Sequence, residues 1–122
     1  DEMEDFTRPW IEQSPVANKI DFRIGDAAKE APKLGITFDM AFVDGDKRTY
    51  AEVYEKLLPI IRPGGYIVAD NTLWDWHVID PAYDHDHQTI GIRQFNDLIA
   101  KDERVEKVIL PLRDGLTLIR KK

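Results

Sequence analysis

Two short apolar runs that each end in acidic residues constrain this chain more than any other feature. Phe38-Asp39-Met40-Ala41-Phe42-Val43 is nearly continuous in apolar side chains and stops at Asp44-Gly45-Asp46-Lys47, and Tyr66-Ile67-Val68-Ala69 likewise stops at Asp70-Asn71. Runs of this length and composition read as strands of the buried type found in parallel sheets. Between them, Tyr50 to Ile61 places Val53, Tyr54, Leu57, Leu58 and Ile61 at helical spacing, and Pro63-Gly64-Gly65 breaks that helix. Strand, helix, strand in this order means two parallel strands joined by a right-handed crossover. Ligands of such sheets collect at the carboxyl ends of the strands, which here carry the acidic residues.

The rest of the chain extends the pattern. Asp5 to Gln13 spaces Phe6, Trp10 and Ile11 along one helical face, and Pro15 closes the segment. Lys19 to Ile24 alternates with period two and predicts a strand that stops at Gly25-Asp26, followed by a short helix from Ala27 to Leu34 that Pro32 makes irregular. Thr72 to Gln88 has no period and reads as a long loop. A helix follows from about Gly91 to Lys101, with Ile92, Phe95, Leu98 and Ile99 as its apolar face. Val105 to Leu112 and Leu116 to Arg120 flank Arg113-Asp114-Gly115, whose Asp-Gly pair signals an antiparallel hairpin. The expected fold is a single α/β domain, a doubly wound sheet with an antiparallel edge.

Composition narrows the function classes. The 122 residues include 17 Lys+Arg against 23 Asp+Glu, a net charge of −6, which argues against nucleic acid or an anionic membrane surface as partner. With 43% hydrophobic and 33% charged residues the chain can bury a real core and does not read as disordered. No apolar run approaches the roughly 20 residues that span a bilayer, and the acidic opening Asp1-Glu2-Met3-Glu4-Asp5 is the opposite of a signal-peptide start. Without cysteine there is neither a disulfide framework nor a thiolate metal site, which suits a reducing compartment, and the cytoplasm is the expected location. The chain starts on a residue other than Met and directly on helix-like sequence, so further natural sequence is expected upstream.

The strand ends carry the chemistry. Neighbouring tips would bring Asp44, Asp70 and Asn71 together as three oxygen ligands, a set that favours Mg²⁺, Ca²⁺ or Mn²⁺ over Zn²⁺. Lys47, three residues beyond Asp44, is close enough to share the site. A bound cation disfavours a neighbouring ammonium, so this lysine could lose its proton near neutral pH and act as a base. The plainer account is that Asp44 or Asp46 caps the next helix, Asp70-Asn71 is a turn and Lys47 is solvated. Two other patterns compete. Asp44-Gly45-Asp46 looks like the start of a haloacid-dehalogenase-type phosphatase motif, but Arg48 stands where that motif needs Thr or Val. His77, His85 and His87 among Asp80, Asp84 and Asp86 could form a transition-metal site, although solvated loop histidines account for them more simply. No glycine-rich nucleotide fingerprint occurs.

Taken jointly, Phe38 to Tyr50, Pro63 to Trp74, and a tail from Arg93 to Arg120 that contains Asp114-Gly115-Leu116-Thr117 resemble the cation-dependent, S-adenosylmethionine-dependent O-methyltransferases of the caffeoyl-CoA and catechol type. The 26-residue separation of Asp44 from Asp70 belongs to that likeness. The resemblance implies a Rossmann-like methyltransferase sheet, with Asp44, Asp70 and Asn71 on the metal and Lys47 as general base. Gly25, Asp26, Ala27 and Asp46 would lie around the adenosyl part of the cofactor, and Trp74 and Asp75 would face a small phenolic acceptor. It also implies a dimer. Family members carry a glycine-containing cofactor loop and a ribose-binding acid ahead of this region. Neither is present here, Asp1 and Glu2 are poor substitutes for the acid, and the first two strands of the sheet are missing. The chain therefore reads as the carboxyl-terminal part of such an enzyme. A non-catalytic remnant serving as an association module is the second reading, and the phosphatase is the third.

Overall fold

The computed structural model describes residues 2–122. Asp1, weighed above as a substitute for the ribose acid, lies outside them. Four strands, β1 (Phe38–Val43), β2 (Ile61–Asp70), β3 (Val105–Leu110) and β4 (Leu116–Lys121), form one sheet in the order β1-β2-β4-β3. β1 and β2 run parallel, whereas β4 is antiparallel to both β2 and β3. The helices are α1 (Glu2–Glu12), α2 (Ala27–Glu30), α3 (Tyr50–Leu57) and α4 (His87–Lys101). The α/β class, the parallel crossover and the terminal hairpin are as the sequence predicts. Among the described residues β1 has no partner on its outer edge, and no helix there is long and apolar enough to cross a membrane.

The register explains where the core lies. Ala41 pairs with Ile67 and Val43 with Ala69, so these side chains share one face of the sheet. That face packs on Tyr54 and Leu57 of α3 and on Ile92, Phe95 and Ile99 of α4. The Phe95 ring meets Tyr50 and Tyr54 edge-on, at centroid distances of 5.4 and 6.1 Å, a favoured aromatic geometry. The opposite face differs from the doubly buried strands expected: Met40 and Phe42 are 59% and 58% exposed and Tyr66 is 42% exposed. β1 is thus buried on one side only, because no helix among the described residues covers the other.

Three sequence expectations need correction. Lys19 to Ile24 forms no strand: a 3₁₀ turn over Ala17–Lys19 leads into unpaired backbone, with Ile20 and Ile24 exposed. Alternation is not enough to make a strand without a neighbour to accept its ladder bonds. Second, α3 stops at Leu57 because Pro59 imposes a 3₁₀ turn over Leu58–Ile60, and β2 begins at Ile61. Pro63-Gly64-Gly65 therefore lies inside a strand, as a bulge: Phe38 pairs with Ile61 but Met40 with Tyr66. A Cβ on Gly65 would stand 2.7 Å from the Asp39 carbonyl oxygen, so only glycine lets the strands close there.

Third, Thr72 to Gln88 is more ordered than a loop. It folds into 3₁₀ turns over Trp74–Ile79 and Pro81–Tyr83, and α4 begins at His87 because Asp86 caps it, accepting from the Thr89 N–H and hydroxyl at 2.7 Å each. Arg93 pins the segment by donating to the carbonyls of His77, Val78 and Asp80 and pairing with Asp84 at 2.7 Å.

Candidate functional site

β1 ends at Val43 opposite Ala69, so Asp44 and Asp70 follow on neighbouring strands at the same level. Beyond Asp44 the chain makes a tight turn, with Asp46 accepting from the Arg48 N–H at 3.0 Å. Helix α4 braces that turn: the Gln88 side-chain oxygen accepts from the Lys47 N–H at 2.9 Å, and Gly91 lies so close that a Cβ on it would be 2.5 Å from the Lys47 carbonyl oxygen.

The turn directs the Lys47 side chain inward, where only 6% of it is exposed. Its ammonium donates to Asp44 Oδ1 at 2.9 Å and to the Tyr50 hydroxyl at 2.8 Å, and lies 5.6 Å from the Trp74 ring centre. The Tyr50 hydroxyl has one proton to share between the carbonyls of Val43 and Asp70, each at 3.1 Å. One buried phenol thus ties the lysine to the ends of both strands. Burial pushes Lys47 down, but the Tyr50 hydroxyl and the Asp44 carboxylate outweigh it and hold the ammonium above its ordinary range. Burial raises Tyr50, which stays a phenol. Asp46 is brought down to about 2 by its bonds to the Arg48 side chain and N–H.

Asn71 occupies the left-handed region at φ 58°, a conformation that asparagine tolerates. Its backbone N–H donates to Asp70 Oδ1 at 2.7 Å and its side-chain amide donates to Asp114 Oδ2 at 2.9 Å. Asp70, Asn71, Asp75 and Asp114 line a cavity of about 750 Å³ together with Phe42 and Leu112. Asp44 and Asp46 open into an adjoining cleft of about 280 Å³ lined also by Ala27, Gly45 and Tyr50, and Phe42 borders both spaces.

The structure brings the expected residues together unevenly. Asp44 and Lys47 pair at the tip of β1, Asp70 and Asn71 follow at the same level on β2 but line the neighbouring cavity, Trp74 flanks the lysine, and Asp75 shares the Asp70 cavity. Ala27 reaches the Asp44 cleft, whereas Gly25 lines a separate hollow beside Arg23 and Leu34 that Ala27 also borders. Asp26 caps α2, accepting from the Ala28 N–H at 3.0 Å, and Asp46 both caps its turn and lines the cleft. No group of three or more His, Cys, Asp or Glu side chains arranged to hold a metal occurs among the described residues. A cation at the strand tips would therefore rest on two carboxylates and the Asn71 amide oxygen, an all-oxygen set suited to a hard ion. The acids between Asp80 and Asp86 have structural partners, and the His77 ring stacks on Tyr83 at 3.5 Å.

Sequence reasoning missed Tyr50, Gln88 and Gly91 as parts of the site and gave Asp114 no role beyond its turn. Tyr50 lies three residues after Lys47 at the start of a helix, a spacing that places both side chains on one side of the turn. Gln88 and Gly91 act across the fold and leave no local signal.

An open α/β sheet with its polar cluster beyond the carboxyl ends of two parallel strands defines a Rossmann-like ligand-binding class. Within that class the assignment is specific: a family model described as O-methyltransferase matches residues 1–122, and the chain belongs to that family. It is 38% identical to tricin synthase 1 of Oryza sativa subsp. japonica, with 93% of this chain and 51% of that protein covered. It is 40% identical to a caffeoyl-CoA O-methyltransferase of Mesembryanthemum crystallinum, covering 93% of this chain and 49% of the relative. The chain thus spans about half the length of the curated relatives it matches. The O-methyltransferase of Bacillus cereus in complex with SAH superposes with a TM-score of 0.88 at 28% identity, covering 100% of this chain and 59% of that one. An SAH-bound methyltransferase of Podospora anserina gives 0.87 at 26% identity, covering 99% and 57%.

Proposed function

We propose that this chain forms the metal- and acceptor-facing half of an O-methyltransferase that moves a methyl group from S-adenosylmethionine to a phenolic hydroxyl of a catechol-like acceptor. The observation that carries the reading is the buried Lys47 ammonium held against Asp44 at the tip of β1, level with Asp70 and Asn71 at the tip of β2. Relatives named for O-methylation and neighbours solved with SAH support it.

Asp44, Asp70 and Asn71 would hold the cation. A divalent ion held there would supply acidification of the acceptor hydroxyl, and Asp44, as one of its ligands, would pair less firmly with Lys47. Lys47 takes the acceptor proton; with its ion pair to Asp44 intact it is held protonated, so this role requires that pair to be given up. Tyr50 holds the lysine nitrogen in place in either protonation state, because its hydroxyl can accept from the ammonium or donate to the neutral amine. Trp74 walls the acceptor side of the lysine, and Asp75, beside Asp70, meets the acceptor in the larger cavity. Ala27 and Asp46 border the adjoining cleft and would face the adenosyl part, while Gly25 lines the neighbouring hollow that Ala27 also borders and Asp26 caps α2. The oxygen then attacks the sulfonium methyl carbon, the methyl–sulfur bond breaks, and S-adenosylhomocysteine leaves. The protein supplies orientation and charge. The enzyme would act as a homodimer in the cytoplasm.

Calorimetry with S-adenosylmethionine and Mg²⁺, on the natural protein and on its Asp46→Ala variant, tests the cofactor assignment. Saturable binding by the parent, weakened in the variant, supports it; no binding by the parent sinks it. No observation favours the remnant or the phosphatase.

A further inference from the structure

We propose that Asp114, at the β3–β4 turn, is a positioning residue that fixes which end of the Asn71 amide faces the cavity at the strand tips. The inference rests on the reading that a divalent cation binds there. An asparagine amide can present its oxygen or its nitrogen, and only the oxygen can ligate a cation. Asp114 Oδ2 stands 2.9 Å from Asn71 Nδ2. A carboxylate only accepts hydrogen bonds, so a flipped Asn71 would set its oxygen against another acceptor. The bond therefore selects one orientation and leaves the Asn71 oxygen for the cavity.

Such a device works only if Asp114 is itself fixed relative to Asn71, and several contacts ensure that. The Asp114 carbonyl accepts from the N–H groups of Leu73 and Trp74 at 2.7 and 3.0 Å, and the Gly115 carbonyl accepts from the Thr72 N–H at 3.1 Å. Gly115 is at φ 95°, and a Cβ there would lie 2.6 Å from the Leu73 backbone nitrogen. Below the turn, Thr117 and Thr72, both buried, join hydroxyls at 2.7 Å. These contacts tie the hairpin to the strand-tip segment. Each part of the Asp114-Gly115-Leu116-Thr117 block that touches this segment then has a distinct role. Its aspartate aims a ligand, its glycine permits the close approach, and its threonine locks the base.

Mn²⁺ binding, followed by the electron-spin signal of the free ion, tests this on the natural protein with Asp114→Ala, Asp114→Asn, Asn71→Ala and the Asn71→Ala, Asp114→Ala pair. Loss of an outer partner of a metal ligand costs about 10–100-fold in affinity. Asp114→Ala is expected to weaken Mn²⁺ within that range, with unchanged S-adenosylmethionine affinity. Asp114→Asn, whose carbonyl oxygen still accepts from Asn71, should retain most of the affinity. Once Asn71 is alanine, removing Asp114 should cost nothing further, the signature of two residues acting as a unit. Additive losses, or an asparagine variant as weak as the alanine one, would show that Asp114 acts through its charge or as a direct ligand and would overturn the proposal. A parent that binds no Mn²⁺ overturns the cation reading, and this inference falls with it; a parent that binds and an Asp114→Ala variant that binds equally well refutes the inference alone.

Discussion

Replacing Gly91 with alanine sets two effects of known sign against each other. In the interior of a helix, alanine is favoured over glycine by about 1 kcal/mol, because glycine loses more backbone freedom on folding. At this position, however, the added Cβ would lie 2.5 Å from the Lys47 carbonyl oxygen, 2.6 Å from Arg48 Cα and 2.9 Å from the Lys47 carbonyl carbon. Ordinary carbon contacts need about 3.5–4.0 Å, so relief requires a shift of about 1 Å. The clashing atoms are backbone, so no side chain can turn aside, and α4 must lift away from the Lys47 turn. That shift loosens Ile92 and Phe95, both buried against the sheet. Overpacking costs about 1–3 kcal/mol, and because backbone atoms cannot turn aside the upper part of that range, about 2–3 kcal/mol, applies here before the gain of about 1 kcal/mol is subtracted. The net expectation is destabilisation by about 1–2 kcal/mol, a fall in Tm of about 3–10 °C. Urea unfolding followed by circular dichroism measures it. Gly45→Ala is the control, since its Cβ would meet nothing within 4 Å, and it should shift stability by less than about 0.5 kcal/mol. A Gly91→Ala variant as stable as the parent or more so would refute the claim that α4 seats the lysine by direct backbone contact.

Other perturbations follow from the same geometry. Tyr54→Phe removes a buried 2.7 Å hydrogen bond to Asp102 and should cost about 1–3 kcal/mol by urea titration. Hydrogen bonds from Arg104, with help from Tyr54, hold the Asp102 carboxyl well below the usual carboxylate range. A carboxyl lowered in the folded state stabilises fully above its unfolded value near 4 and loses that contribution as pH falls toward the folded value. The parent's stability advantage over Asp102→Asn should therefore be constant from pH 7 to about pH 5 and shrink below about pH 4. Tyr50→Phe removes the hydroxyl that Lys47 donates to, and steady-state kinetics should show a lower kcat with little change in cofactor KM.

How much of this was legible depended on whether the cause was local. β1 was readable residue for residue because its apolar run and acidic stop are both contained in Phe38 to Asp46. The hairpin was readable because Asp114-Gly115 dictates a turn on its own. Lys19 to Ile24 misled because a strand exists only with a partner, and none of the described residues supplies one. The Pro63-Gly64-Gly65 bulge misled in the other direction: breakers that stop an isolated strand are tolerated where a neighbour's register skips past them. In the candidate site, Asp44, Lys47, Asp70 and Asn71 could be singled out because they follow their strands directly. The supports could not, since Gln88, Gly91 and Asp114 reach Lys47 and Asn71 only through the tertiary fold.

If Asp44, Asp70 and Asn71 hold a divalent cation as proposed, methyl transfer depends on that ion. Transfer of labelled methyl from S-adenosylmethionine to a catechol acceptor, measured on the natural protein after chelation and then with added Mg²⁺, tests it most directly alongside an Asp70→Ala, Asn71→Ala variant. Chelation is expected to abolish transfer, Mg²⁺ to restore it in the parent, and the variant to stay inactive at any Mg²⁺ concentration. Transfer that survives chelation, or a variant as active as the parent, would contradict it.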